Sequence, residues 1–253
     1  MLFDVHCHLT DMYFSGKIDS IVDECIGKNV SILISAGLNP IDNRKVLEIS
    51  KKHKIVNASL GLYPLDAISL KEEEIIGEIG FITKNKENII AISEVGLDLH
   101  YTNEIKKQIW AFQNFIELSE KIGKPLIVHS RKAEAEVIEM LESSNVKSAI
   151  LHSFGGNKNL IKRAIDNKFY FSIPPLIARS SNFQTLVDLA PLNLLLTESD
   201  SPYQSPTKNQ RNYPFNVIES FKKISEIKKL DKIETENILF MNFQKIFKKW
   251  KTI

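Results

Sequence analysis

Six side chains in this sequence have the types and spacing to hold metal ions and activate water. His6 and His8 sit two apart in Asp4-Val5-His6-Cys7-His8. Glu94 lies in Ser93-Glu94-Val95-Gly96, His129 in Ile127-Val128-His129-Ser130-Arg131, His152 in Leu151-His152-Ser153-Phe154, and Asp200 in Glu198-Ser199-Asp200-Ser201-Pro202. Neutral imidazoles and carboxylates are nitrogen and oxygen donors suited to Zn²⁺, Mn²⁺ or similar ions. Six donors exceed one tetrahedral site and suit two ions sharing a carboxylate, with Glu94 the natural bridge. Such a pair lowers the pKa of a bound water and holds both oxygens of a displacement. The chemistry these residues predict is metal-assisted hydrolysis.

For scattered residues to meet, the chain must bring them to one place. Strand side chains alternate, so His6 and His8 on one strand face the same way, and Cys7 turns outward as a small buried apolar residue. Short apolar, β-branched runs predict eight strands: Leu2–His6, Ser31–Ser35, Val56–Leu60, Ile89–Ser93, Pro125–His129, Ser148–His152, Phe169–Ile173 and Asn193–Thr197. They show little alternation, as expected of strands covered on both faces. Helical stretches lie between them: Ser15–Lys28, Asp42–Lys52, Leu70–Lys84, Ile105–Ile122, Ala133–Leu141, Leu160–Asn167 and Phe183–Leu189, then Asn216–Trp250. The 105–122 stretch is the clearest, with Ile105, Ile109, Phe112, Phe115 and Ile116 on one face and Gly123 and Pro125 ending it. Eight β-α units predict an α/β fold, a single (β/α)8 barrel over residues 1–253 with right-handed crossovers. An open doubly wound sheet is the alternative, without a Gly-rich nucleotide loop after the first strand. Four of the six histidines and both carboxylates then fall at C-terminal strand ends, the rim where such barrels build active sites.

Each residue alone has a bland reading. A lone His-x-His is a weak signal, a strand-end His is more often a hydrogen-bonded core or loop residue, and Asp200 before Ser-Pro could only start a turn. The conjunction of metal-ligand types at one end of one barrel carries the inference.

Composition narrows the classes. With 43% apolar and 25% charged residues the chain is an ordinary globular one rather than disordered or fibrous. No apolar run approaches the ~18 residues of a membrane span, and Met1–Leu9 has no signal-peptide pattern, so no membrane association and a cytoplasmic location are expected. Cys7 and Cys25 are too few for a disulfide framework, consistent with a reducing compartment. The formal charge of +2 does not announce a nucleic-acid protein, so any polyanion must be held by a local patch or by metal. No obligate protein partner is evident.

At these residues the chain resembles the TatD-type metal-dependent deoxyribonucleases, a branch of the amidohydrolase-like barrels. The resemblance runs nearly end to end, through Asp4–Leu9, Glu94–Asp98, His129–Arg131, His152–Gly156, Glu198–Tyr203, Arg211–Pro214 and Asn242–Phe247. It implies that His6, His8 and Asp200 hold one divalent ion and His129 and His152 another, with Glu94 shared. It also implies DNA phosphodiester hydrolysis, often from a 3′ end or on single strands, with Mg²⁺, Mn²⁺ or Zn²⁺. Asp200 and Glu94 are the expected catalytic groups, Asp200 also taking the proton of the attacking water. One departure stands out: the family has Gly-x-His-Pro after the third strand, and this chain has Gly61-Leu62-Tyr63-Pro64. A phenol with a pKa near ~10 is a poor proton carrier at pH 7.

On the substrate side, Arg131 and Arg211 are the expected phosphate contacts, Arg179 and Lys208 weaker candidates, and Tyr63 and Tyr203 could stack on bases. His100 is placed near the cleft, His53 at a helix C-terminus without a catalytic role, and Asp4 behind the ligands as an orienting carboxylate. Two rivals share the platform: a hydrolase of cyclic amides, lactones or esters, and a non-catalytic metal-bound barrel that binds nucleic acid or protein.

Overall fold

The computed structural model describes residues 1–252. Eight strands run β1 (Leu2–Cys7), β2 (Val30–Ala36), β3 (Val56–Leu60), β4 (Ile89–Asp98), β5 (Leu126–Arg131), β6 (Ala149–His152), β7 (Tyr170–Ile173) and β8 (Leu195–Thr197). They form one sheet in chain order, every neighbouring pair parallel. Helices cover the outside, so β3 and β4 are buried from end to end and need apolar residues on both faces.

The seam between β8 and β1 is closed by individual hydrogen bonds. Thr197 Oγ1 donates to Phe3 O (2.8 Å), and Ser199 N–H to Asp4 Oδ1 (2.8 Å). Beyond the end of β8, Asp200 N–H donates to His6 O and His8 N–H to Ser201 O, both at 2.9 Å. The eight strands thus form the barrel expected, and its seam lies among the candidate ligands.

The helices are α1 (Ile18–Gly27), α2 (Pro40–Lys52), α3 (Pro64–Ser69), α4 (Glu72–Lys84), α5 (Ile105–Ile122), α6 (Glu134–Glu142), α7 (Lys158–Asp166), α8 (Ser181–Leu189), α9 (Val217–Lys228) and α10 (Lys232–Ile246). Local chemistry sets their ends. Asn39 caps α2 through Asp42 N–H, with Pro40 in its first turn. Gly123 ends α5 in the left-handed region at φ 67°, which glycine adopts without a Cβ clash. Asp231 caps α10 through Ile233 and Glu234.

One expectation needs correction. β4 does not stop at Ser93 but runs to Asp98, pairing Val95–Asp98 with Val128–Arg131 after a register shift, so Glu94 lies inside a strand. The helix expected from Leu70 is α4, preceded by the short α3 and starting after Lys71, where Glu74 reaches back to the Lys71 N–H. The last helices expected in the C-terminal stretch are α9 and α10, parted where Lys229 turns left-handed at φ 54° and Asp231 restarts the chain. A 3-10 turn, Met12–Phe14, precedes α1.

Candidate metal centre

All six candidate donors meet at the C-terminal mouth of the barrel. His6 is inside β1 and fully buried; His8 lies one residue past its end. Their Nε2 atoms are 3.2 Å apart. Asp200 follows β8, and its Oδ1 lies 3.2 Å from His8 Nε2 and 3.8 Å from His6 Nε2. Glu94 projects from β4 between two groups. Its Oε2 is 3.6 Å from His6 Nε2 and 3.5 Å from His8 Nε2. Its Oε1 is 2.8 Å from His129 Nδ1 and 3.0 Å from His152 Nε2. Those two imidazole nitrogens are 3.2 Å apart. Cys7 is turned away, buried with its Sγ near Ile34 O.

These separations can be tested against an ion. Nitrogen and oxygen ligands at about 2.0–2.2 Å from a metal stand about 2.9–3.6 Å from each other in tetrahedral or octahedral arrangements. Most of the distances above lie in or next to that range. The donor set therefore fits divalent ions, with His6–His8–Glu94 and Glu94–His129–His152 each able to hold one.

A second layer of side chains fixes the rings. His129 Nε2 meets Asp98 Oδ2 at 2.9 Å, which turns Nδ1 toward Glu94. His6 Nδ1 lies 3.3 Å from Ser93 Oγ. His152 Nδ1 is 3.7 Å from Glu198 Oε1. Glu198 accepts from the N–H and Oγ of Ser153 and from Ser172 Oγ, so it ties the loop after β6 to β7. Asp4, expected to orient a ligand ring, instead accepts from the backbone N–H of His6 and of Ser199, stitching the seam. Its other oxygen, Oδ2, is buried without a partner, and burial raises its pKa well above the carboxylate range.

Close backbone packing sets Glu94 in place. A Cβ on Gly61 would fall 2.7 Å from the Ser93 carbonyl carbon and 2.8 Å from Glu94 O. A Cβ on Gly96, whose φ is 136°, would fall 2.0 Å from His129 O. Only glycine lets β5 and the chain after β3 approach the β4 backbone beside Glu94.

Electrostatics point the same way. Burial disfavours the charged form of every group here, yet the partners win at most of them. Glu94 is held well below the carboxylate range by His152, His129 and His6. Asp200 is lowered by His8 and its neighbours. Burial is outweighed at His152 by Glu94 and Glu198, at His129 by Asp98 and Glu94, and at His8 by Asp200 and Glu94, so all three pKa values are raised. At His6 burial and nearby His152 prevail and the value falls. The carboxylates thus demand positive charge, which protons supply when an ion does not.

The cleft above has a volume of about 550 Å³ and is lined by His8, Glu94, His129, His152 and Asp200 together with Tyr63, Tyr101, Arg131 and Tyr203. Tyr63 reaches the cleft, but its hydroxyl donates to Asp98 Oδ2 (2.7 Å) and its ring sits edge-on to His129. Arg131 ends β5, donates to Tyr101 Oη (3.0 Å) and lies over that ring. Tyr203 is half exposed, donates to Asp11 and has Arg211 about 6.0 Å from its ring centre. Neither arginine pairs with Asp98 or Glu198. Arg211 does not line the cleft itself, and Arg179 bonds Ser205 O. His100 donates its backbone N–H to Asp98 and stacks edge-on with Tyr101; His53 pairs with Asp19 outside the barrel. Lys208 is exposed away from the cleft lining.

Residues 3–248 match the protein family described as TatD related DNase. The chain belongs to that family. Membership places it among the metal-dependent hydrolases that act on ester bonds. Within the family's reach, the chain is 29% identical over 264 residues to human deoxyribonuclease TATDN3, covering 98% of this chain and 95% of that one. It is 30% identical over 247 residues to an uncharacterized metal-dependent hydrolase of Methanocaldococcus jannaschii, covering 97% and 96%. The TatD-family fold is seen in the crystal structure of YJJV, a TatD homolog from Escherichia coli, with a TM-score of 0.91 at 21% identity over 98% of both chains. A TatD-family hydrolase structure from Entamoeba histolytica gives 0.87 at 19% identity over 97% of both.

Sequence reasoning missed Asp98, Ser93 and Glu198 as partners of the ligand rings. Asp98 carried a readable signal, since residues 94, 96 and 98 share a face of one strand.

Proposed function

We propose that this chain is a deoxyribonuclease that uses two divalent ions, Mg²⁺, Mn²⁺ or Zn²⁺, to hydrolyse phosphodiester bonds in single-stranded DNA from the 3′ end. The observation that carries the reading is the division of Glu94: one oxygen faces His6 and His8, the other His129 and His152. That arrangement suits two ions sharing a carboxylate, with Asp200 completing the first group. Bound ions of this kind polarise phosphoryl oxygens and make water more acidic. Asp200, kept ionised by His8, is ready to take the proton of the attacking water. Arg131 at the mouth offers a guanidinium to the phosphate being cleaved. Tyr203, half exposed at the cleft, presents a ring for an unstacked base.

The test pairs elemental analysis of the purified protein with cleavage of 3′- and 5′-labelled single-stranded DNA. Two equivalents of metal, immediate release of the 3′ label and stepwise shortening of the 5′-labelled strand are expected. Asp200→Asn should bring turnover to background in metal-replete protein; full activity would remove Asp200 from the reaction. Hydrolysis of cyclic amides, lactones or simple esters with DNA left intact would replace the substrate class while keeping the centre.

A further inference from the structure

The opposite end of the barrel carries a second cavity, of about 210 Å³, that metal-centre chemistry does not use. In this fold the floor at the N-terminal strand ends serves stability rather than catalysis. Here it is lined by four lysines, Lys51, Lys124, Lys249 and Lys251, against one carboxylate, Glu87. None of the four forms an ion pair among the described residues.

The cationic wall is built. Buried Asn57 at the start of β3 holds the Lys251 backbone from both sides, Nδ2 donating to Lys251 O (3.0 Å) and Oδ1 accepting from Lys251 N–H (2.6 Å). The Lys251 ammonium donates to Ser50 O (2.6 Å) and that of Lys124 to Ile89 O (2.7 Å). Each ammonium has three N–H groups, so each keeps two to offer. Lys51 and Lys249 are exposed at the edge and have no side-chain partner among the described residues. Burial lowers the Lys124 pKa, Glu87 opposes this, and Lys249 lowers it further, so the cluster works against its own charge. The other wall is apolar, from Leu47, Ile90 and Trp250. Trp250 is anchored by edge contacts to Phe240 and Phe243 of α10.

We propose that this floor cavity is a binding site for a small phosphate monoester, its phosphate among the four lysines and its organic part against Leu47, Ile90 and Trp250. A phosphate monoester carries about −1.5 to −2 charge at pH 7 and three acceptor oxygens, which suits several ammoniums around one small volume. The proposal is independent of the hydrolase reading, since no residue is shared with the metal centre.

The two tryptophans give a local readout. Trp110→Phe leaves Trp250 as the only one, and its emission in the metal-loaded protein is followed during titration with adenosine 5′-monophosphate, inorganic phosphate or sodium chloride at matched ionic strength. A saturable change with the monophosphate is expected, with inorganic phosphate weaker and competing, and no saturation with chloride. Lys124→Met with Lys249→Ala should raise the dissociation constant about tenfold or more. If Lys124→Met unfolds, Lys51→Ala with Lys249→Ala, both at exposed positions, carries the same test with a smaller shift. Absence of saturable change at millimolar ligand, or a response unaltered by the lysine substitutions, overturns the proposal. Binding at the metal centre alone would be removed by Asp200→Asn and left intact by the lysine variants, and that pattern overturns it too.

Discussion

Asp98 does not face the ions the centre would hold, yet it sets the direction of one ligand. Its Oδ2 accepts from His129 and from Tyr63, and its Oδ1 from the His100 N–H. Burial opposes its ionisation, but these bonds, led by His129, bring its pKa to about 2. Asp98→Asn should therefore weaken metal binding by about 10–100-fold, read by chelator competition, with the fold retained. The same shift makes a stability prediction. The Asp98 contribution is complete above its ordinary 3.8 and is lost as pH falls toward 2. The gap in urea midpoint between wild type and Asp98→Asn, followed from pH 5 downward, should close over that range. Tyr63 stands where the resemblance led to an expectation of histidine, with its hydroxyl committed to Asp98. Tyr63→His is expected to raise phosphodiesterase turnover; matched kinetics without a gain would show that the phenol is no handicap. The candidate ligands were legible in the sequence because imidazoles and carboxylates fall at the ends of apolar, strand-like runs. The partner of His129 was hidden because one face of a longer β4 had been read as loop.

Among elements, β4 departs most from what its sequence announces. An apolar run ends at Ser93, and Glu94, Gly96 and Asp98 read as a turn, but the strand continues with polar residues facing the barrel interior. Tertiary pairing with β5 outweighs local preference there. The helices were clearer where amphipathic periodicity and a stop coincide, as in α5 with Gly123, and their division was not placed where a single polar residue restarts the chain, as at Asp231. Gly61 is the test of how tightly β3 and β4 are joined. Gly61→Ala places a methyl against backbone that cannot rotate away. It should cost about 1–3 kcal/mol by denaturant unfolding and lower metal capacity by displacing Glu94. Unchanged stability and stoichiometry would mean that the contact relaxes freely.

Taken whole, the molecule was legible in outline: eight apolar runs with helices between them admit few topologies, and all-parallel pairing in chain order follows from right-handed crossovers. The seam was not legible, since β8 is short and its bonds to β1 run partly through side chains. Charge makes a prediction at this scale. Raised pKa values at His8, His129 and His152 contribute stability to the metal-free protein below the ordinary 6.5, lost as pH rises through their folded values. Metal needs these rings neutral, so its affinity should rise over the same interval. Calorimetry with and without divalent ion should show a melting-temperature difference that widens from pH 6 to 8.5; saturating metal at about 100 times its dissociation constant adds about 2.7 kcal/mol. A constant or narrowing difference would mean that the histidines are not the ligands.

The closure of β8 on β1 has a consequence for synthesis. Asp200 and His6 lie far apart in the sequence and are tied by one backbone bond. A nascent chain still short of that aspartate can already present the other imidazoles, but it cannot complete the first cation pocket. Assembly of that pocket therefore waits on the meeting of the eighth strand with the first, and a product truncated before Asp200 would lack it.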